Sequence, residues 1–257
     1  RAVEKAVASW REFCSLSRDV KKRFVYTDEG NLDGAGYELK EEKVSTRDLK
    51  ENFHVTLKAY EQLARITNEV NNQQALMFIY DAHDVVELIT PLVLEFADSV
   101  EKEFSLPGLL EEVESGRCNW FLRYLHYFGD RQIGEEIATA HADKSGFTLH
   151  LYESAPGLQY LEFSQSRRWQ EMPICDGQTV IIPNMQLQYK SKGQLKALCH
   201  RVVATEQTAK IGRYSVVCFI QLLKTPLYNK NAKGRLQEFA PGFNYDMPNN
   251  EFSQLFT

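Results

Sequence analysis

The hydrophobic pattern changes period near Pro107-Gly108, and that change limits what the chain can build. Before it, apolar residues return at three- and four-residue intervals, as Phe78, Val85, Leu88, Leu92 and Phe96 do, which is the stripe of an amphipathic helix. The spacing predicts helices over residues 49–65 and 72–104. A third is predicted over 1–13, where Val3, Val7, Trp10 and Phe13 share one stripe with Cys14. After Cys118 the apolar residues come instead in short or alternating segments, at 120–128, 147–153, 158–163, 179–182, 198–203 and 214–222. Turn formers separate them: Gly134, Pro156-Gly157, Asp176-Gly177 and Lys192-Gly193. Strands at this spacing suggest an antiparallel sandwich or barrel. The chain therefore reads as α+β within one domain, 1–257, with 1–107 mainly helical and 108–257 a double-sheet core with a C-terminal segment. Residues 28–36, with three glycines, read as a loop.

Composition removes several classes of function. The 30 basic and 35 acidic side chains leave a net charge of −5, and the clusters Lys21–Arg23 and Lys190–Lys192 are not interleaved with any nucleic-acid motif, so no nucleic-acid partner is expected. The most apolar stretch, 85–97, is broken by Glu87, Pro91 and Glu95, too short and too charged to span a membrane. The N-terminal residues lack the apolar core of a signal peptide. Five cysteines, Cys14, Cys118, Cys175, Cys199 and Cys218, are odd in number and free of C-x-x-C spacing, which argues against a disulfide framework or zinc cluster and fits a reducing cytoplasm. No G-x-S-x-G, P-loop or dinucleotide fingerprint occurs, so hydrolase, NTPase and dehydrogenase readings lack support.

Three segments carry chemistry. His141-Ala142-Asp143 is an H-x-D pair, and at a strand end the two-residue period puts both side chains on one face, where they can share a cation; a surface histidine near a loop aspartate is the plainer alternative. His200 lies inside 197–203, which otherwise reads as a buried strand where a lone histidine is ordinarily a hydrogen-bonded core residue. Along 213–220, alternation places Arg213, Ser215, Val217 and Phe219 on one face and Tyr214, Val216, Cys218 and Ile220 on the other. Both faces are largely apolar, and an inward arginine needs an anion, because an unpaired buried guanidinium is costly and its planar fork suits a carboxylate. Either a ligand or a structural Asp or Glu at the strand mouth can supply it, and the segment alone leaves both open. Of the other histidines, His83 falls in a helical pattern, His54 reads as the start of a helix, His150 alternates on a strand, and His126 neighbours the presumed pocket strand in a structural role.

Taken in order, His141-Ala142-Asp143, Phe147-Thr148-Leu149, Gly157-Leu158-Gln159, Trp169-Gln170-Glu171-Met172-Pro173, Cys199-His200-Arg201-Val202-Val203 and Gly212-Arg213-Tyr214-Ser215 closely resemble the isopenicillin N synthase-like branch of the iron(II) and 2-oxoglutarate-dependent dioxygenases. Upstream, Trp10, Phe13 and Lys21-Lys22 resemble the helix before the family's Gly-Tyr, here Gly36-Tyr37, and 122–127 resembles the strand that opens its core. The resemblance implies a double-stranded β-helix, or jelly-roll, core with the helical N-terminal half packed on it, and a first strand and helix expected upstream of residue 1. It implies iron(II) held by His141, Asp143 and His200, with Arg213, Ser215 and Tyr127 binding 2-oxoglutarate. A two-histidine, one-carboxylate triad leaves adjacent coordination positions open for reactants. The implied enzyme is a cytoplasmic dioxygenase, plausibly monomeric, that hydroxylates, desaturates or cyclises a small molecule with O2, giving succinate and CO2, with ascorbate a candidate reductant. Two alternatives stay open: an iron(II) oxidase of the same fold that needs no 2-oxoglutarate, and a non-catalytic jelly-roll binding module. Three departures from the family pattern stand out: Tyr127-Phe128 where Tyr-Pro is usual, 182–185 (Ile-Pro-Asn-Met) in place of an Asn-x-Gly-Asp turn, and a longer gap from His200 to Arg213, which an enlarged turn at 206–211 would absorb. The aromatic run Phe239, Phe243, Tyr245, Phe252 and Phe256 reads as packing on the barrel or as a lid.

Overall fold

A computed structural model of the chain describes residues 1–25, 34–40, 49–163, 168–174 and 177–224; the aromatic run at 239–256 and most of the 28–36 loop lie outside the described residues. The helices are α1 (Ala2–Cys14), α2 (Arg18–Lys22), α3 (Tyr60–Val70), α4 (Gln73–Glu103), α5 (Leu109–Ser115), α6 (Met185–Lys190) and α7 (Thr208–Ile211). Ten strands accompany them: β1 (Gly36–Lys40), β2 (Lys50–Val55), β3 (Phe121–Tyr127), β4 (Glu136–His141), β5 (Phe147–Glu153), β6 (Leu158–Leu161), β7 (Trp169–Glu171), β8 (Val180–Pro183), β9 (His200–Val203) and β10 (Arg213–Ile220). They form a six-stranded sheet, β1-β2-β3-β10-β5-β8, and a four-stranded sheet, β4-β9-β6-β7. Every pairing within the two sheets is antiparallel. This is the double-sheet core that the sequence predicts, with helices packed on it.

The period-2 pattern sorts the residues of the larger sheet between two cores. Leu122 and Tyr124 of β3, Phe147 and Leu149 of β5, and Val216, Cys218 and Ile220 of β10 face the helices. Leu125, Tyr127 and Val217 face the smaller sheet, where they meet Ile137, Ala138, Leu158 and Val202. On the helical side an aromatic cluster fastens α1 and α4 to the sheet. Phe78 of α4 lies 5.2 Å from Trp10, 5.1 Å from Phe53 and 5.0 Å from Tyr124, ring centre to ring centre, and all four are fully or almost fully buried. Each such ring contributes about 2–3 kcal/mol from burial. Helix α4 starts where Asn72 accepts the Ala75 amide at 2.9 Å, a side-chain cap that satisfies one of the free N–H groups of the first turn. Among the described residues, no helix is long and apolar enough to cross a membrane.

The helix expected over 49–65 forms only from Tyr60 onward, because 50–55 is strand β2, paired with β1 on one side and β3 on the other. Here Phe53 and Val55 face the helical core, whereas Lys50 faces the space between the sheets. Polar residues on the inner face of a covered strand hide its alternation, and pairing on both sides overrides the local periodicity. His54 therefore does not begin a helix: it is buried on β2, 4.7 Å from the Phe121 ring. Strands β1, β4 and β7 also went beyond the sequence pattern, and the extra length after His200 is taken up by the short helix α7.

Candidate active site

Strand β4 ends at His141 and β9 begins at His200, and these two residues are register partners in the smaller sheet. Asp143 follows in the connection to β5. That connection is pinned from outside, since the Met185 amide donates to the Asp143 carbonyl at 3.0 Å and the Gln186 amide to the Ser145 carbonyl at 3.0 Å. The departure at 182–185 thus has a job: it ends β8 and starts α6, and the Asn184 amide lies 2.7 Å from the hydroxyls of both Ser145 and Thr148.

The three side chains converge. Asp143 Oδ1 lies 3.4 Å from His141 Nε2, and Asp143 Oδ2 lies 3.9 Å from His200 Nε2. One ligand atom from each falls within 4.8 Å of the others. Both histidines present the right nitrogen. His141 Nδ1 sits 2.6 Å from the Thr139 carbonyl and His200 Nδ1 3.2 Å from the Leu198 carbonyl. A carbonyl can only accept, so the proton rests on Nδ1 and each Nε2 offers its lone pair to the common point. Two imidazoles and one carboxylate suit a divalent first-row metal, so the donor set fits iron(II).

Electrostatics agree with a ligand role for His200 and Asp143. Burial pushes His200 down to about 4 despite the pull of Asp143, which keeps it neutral and able to ligate. For His141 burial acts downward too, but Asp143 beside it outweighs that and raises it. Burial would raise Asp143; His200, His141 and the Thr148 hydroxyl, which donates to Oδ2 at 2.7 Å, overcome it and hold the carboxylate well below its usual range.

The triad opens into a cavity between the sheets whose walls include Tyr127, Ser215, Thr148, His150, Glu153 and Lys50. Lys50 lies with its ammonium 5.2 Å from the centre of the Tyr127 ring. Tyr127 and Ser215 thus share the space with the triad, but Arg213 does not border it. Its side chain is wholly buried and ion-paired with Glu153, with Nη2 also donating to the Ala155 carbonyl at 2.9 Å. Of the two partners the sequence left open for Arg213, a structural carboxylate is present at Nη2, while among the described residues Nε and Nη1 are buried without an acceptor. Sequence reasoning missed Lys50, Thr148, His150 and Glu153 as cavity residues. Thr148 and His150 carry a signal, since alternation along β5 puts both on the face opposite Phe147 and Leu149. Glu153 breaks that alternation. Opposite β10, Val217 pairs with His150 and Val216 with Tyr152, leaving Leu151 unpaired in a β-bulge, and the slip turns Glu153 inward across from Ser215.

Known proteins resemble the chain in sequence and in fold. Residues 119–222 match the model of the 2OG-Fe(II) oxygenase superfamily. That stretch is similar to a 2OG-Fe(II) oxygenase domain. The family's requirements are iron(II), 2-oxoglutarate and dioxygen, and the triad of this domain fits the iron site. Solved structures share the fold. A putative oxygenase from Shewanella oneidensis is 25% identical, with a TM-score of 0.62 over 86% of this chain and 77% of its own. The dioxygenase for auxin oxidation 1 of Arabidopsis thaliana, in complex with 2-oxoglutarate, is 16% identical, with a TM-score of 0.69 over 89% and 80%. A full-length Neurospora crassa protein, solved in complex with alpha-KG and thymine, is 17% identical, with a TM-score of 0.70 over 94% and 84%. No curated protein matches the chain.

Proposed function

We propose that the oxygenase oxidises a small organic molecule through His141, Asp143 and His200, with 2-oxoglutarate as co-substrate. The observation that carries this reading is the convergence of two Nε2 atoms and one carboxylate at the mouth of the double-sheet core, inside the segment that matches the family. Iron(II), when bound, supplies dioxygen activation coupled to decarboxylation of the 2-oxo acid, with succinate and CO2 as co-products. The protein's own part is positioning. The Nδ1 bonds to Thr139 and Leu198 fix both imidazole rings, and Thr148 fixes the carboxylate. Leu125, Leu158, Val202, Val217 and Phe219 supply the apolar part of the cavity wall. In this reading the Ser215 hydroxyl takes the distal carboxylate with Tyr127 beside it, and Arg213, which borders the adjoining groove, offers its unmet Nε and Nη1 donors only where Glu153 gives way.

One observation favours a second reading, an iron(II) oxidase that uses no 2-oxoglutarate: Arg213 already holds a carboxylate, that of Glu153. A single experiment separates the two. Carbon dioxide release from 1-labelled 2-oxoglutarate by the iron(II)-loaded protein, with calorimetric binding of the diacid beside a redox-inert metal, is expected to be positive. His200→Ala is expected to abolish both while leaving a folded protein. Absence of binding and release, from wild-type protein that holds metal at the triad, would overturn the co-substrate assignment.

A further inference from the structure

We propose that Glu153 is a specificity-determining residue for the co-substrate: its carboxylate competes with the distal carboxylate of a diacid for Arg213, which weakens selection for 2-oxoglutarate over 2-oxo acids with uncharged tails. The inference rests on the 2-oxo-acid reading given above.

Position comes first. The bulge at Leu151 turns Glu153 to the inner face of the larger sheet, directly across from Ser215. Its side chain is 7% exposed, and it lines both the metal cavity and the neighbouring groove that Arg213 borders. Glu153 and Leu158 are shared by the two spaces, so the acid stands between Arg213 and the triad. It is also held from its other side, since Oε1 lies 3.1 Å from His150 Nδ1.

Charge decides what this position does. Arg213 and Glu153 neutralise each other in a site with little solvent, so a diacid arriving at Ser215 meets a like charge beside the cation that would bind it. Yet the pair is not closed on itself. A guanidinium has five N–H donors, and here Nη2 alone is used, by Glu153 and the Ala155 carbonyl, while Nε and Nη1 are buried without partners among the described residues. Buried donors left unmet at one end of a cavity mark a place for an acceptor that the protein does not provide. The incoming carboxylate and Glu153 therefore contend for the same cation. A 2-oxo acid of equal length that ends in a methyl group, such as 2-oxopentanoate, has no such contest and leaves the ion pair intact.

The test measures both acids on the same protein. Calorimetric titration of manganese(II)-loaded wild type and Glu153→Gln with 2-oxoglutarate and with 2-oxopentanoate gives two affinities for each. In E153Q the affinity for 2-oxoglutarate is expected to rise on the order of tenfold, because a buried like charge is removed, while that for 2-oxopentanoate stays within about twofold. Since the readout is a ratio within one protein, a general loss of folded material cancels. Glu153→Ala, measured the same way, covers the case in which glutamine keeps a hydrogen bond to Arg213. Unchanged or weaker 2-oxoglutarate binding in both variants, with the wild type binding the diacid, overturns the role of Glu153 alone. If wild type and both variants bind neither acid while holding the metal, the 2-oxo-acid reading falls, and this inference with it.

Discussion

Thr148 donates its hydroxyl to Oδ2 of Asp143 at 2.7 Å, so the strand that leaves the H-x-D turn aims the carboxylate of that turn. A donor on one oxygen leaves Oδ1 toward His141 and fixes the plane of the carboxyl group. Thr148→Val keeps the volume and removes the donor. Metal affinity, followed by calorimetry with manganese(II), is expected to fall roughly 10- to 100-fold, and the melting temperature to fall as well, because the buried Asn184 amide loses the same hydroxyl. Thr148→Ser should retain most of the wild-type affinity. Wild-type binding by the valine variant would show that the hydroxyl plays no part.

How much of this was legible beforehand differs between the ligands and their surroundings. His141, Asp143 and His200 could be read because each lies on or next to a strand whose period-2 pattern fixes its face, and because their order resembles a family. Phe78 and Val85 of α4 could be read for the matching reason at a period of 3.6, but Leu88 and Leu92, placed on the same stripe by the spacing, are exposed, because over a helix this long the buried face drifts to Ile89 and Val93. Lys50 could not. Its strand carries polar residues on the inner face, so β2 passed for helix until sheet pairing on both sides decided otherwise. Glu153 could not either, since a one-residue slip at Leu151 reverses the face of everything after it, and no local pattern announces a bulge.

A buried network on the other side of β2 gives the fold a measurable acid sensitivity. Glu51 accepts from Lys21 at 2.8 Å and from Tyr37 at 2.7 Å, and lies 2.9 Å from His126 Nδ1. Burial would raise its carboxyl, but the hydrogen bonds from His126, Lys21 and Tyr37 outweigh that and bring it to about 2. Cys14, Glu51 and His126 lie close enough to hold a metal, yet the Lys21 ammonium already neutralises the acid, and the group ties α1 and α2 to the sheet. A folded value below the unfolded one means that the stabilisation is complete above the unfolded value of 4.5 and is lost as pH falls toward about 2. Between pH 5 and pH 3 this one group should cost the wild type about 2 kcal/mol. Urea midpoints should show Glu51→Gln less stable at pH 5 but with a shallower fall to pH 3; parallel curves would remove Glu51 as the cause.

Gly212 sets the entry to β10, and with it the positions of Arg213 and Ser215. Its φ of 77° lies in the region that favours glycine, and a Cβ there would stand 2.2 Å from the Tyr127 carbonyl oxygen and 2.9 Å from the Gly129 amide nitrogen. Backbone of the 127–129 segment cannot yield as a flexible side chain would. Gly212→Ala should therefore cost roughly 2–3 kcal/mol, a drop of about 5–10 °C in melting temperature for a chain of this size. A melting temperature within a degree of wild type would mean that the turn relaxes at little cost.

The ion pair with Glu153 decides how Arg213 is used, and its strength is measurable without any ligand. With its side chain fully buried, Arg213 depends on Glu153 and the Ala155 carbonyl, and Glu153 in turn is only 7% exposed. Removing one member of such a pair leaves the other charged and desolvated, whereas removing both leaves nothing uncompensated. Arg213→Met is expected to lose about 3–5 kcal/mol of stability, because Glu153 then keeps only its contact with His150. Arg213→Lys should fall between, since one ammonium keeps the charge but cannot reproduce two donors in a fixed fork. Joining Arg213→Met to Glu153→Leu should recover much of the loss, giving a coupling of at least about 1.5 kcal/mol in a double-mutant cycle of denaturant midpoints. Additive losses would mean that Glu153 does not hold Arg213 in the folded protein, and the guanidinium would then be free to serve a co-substrate without competition.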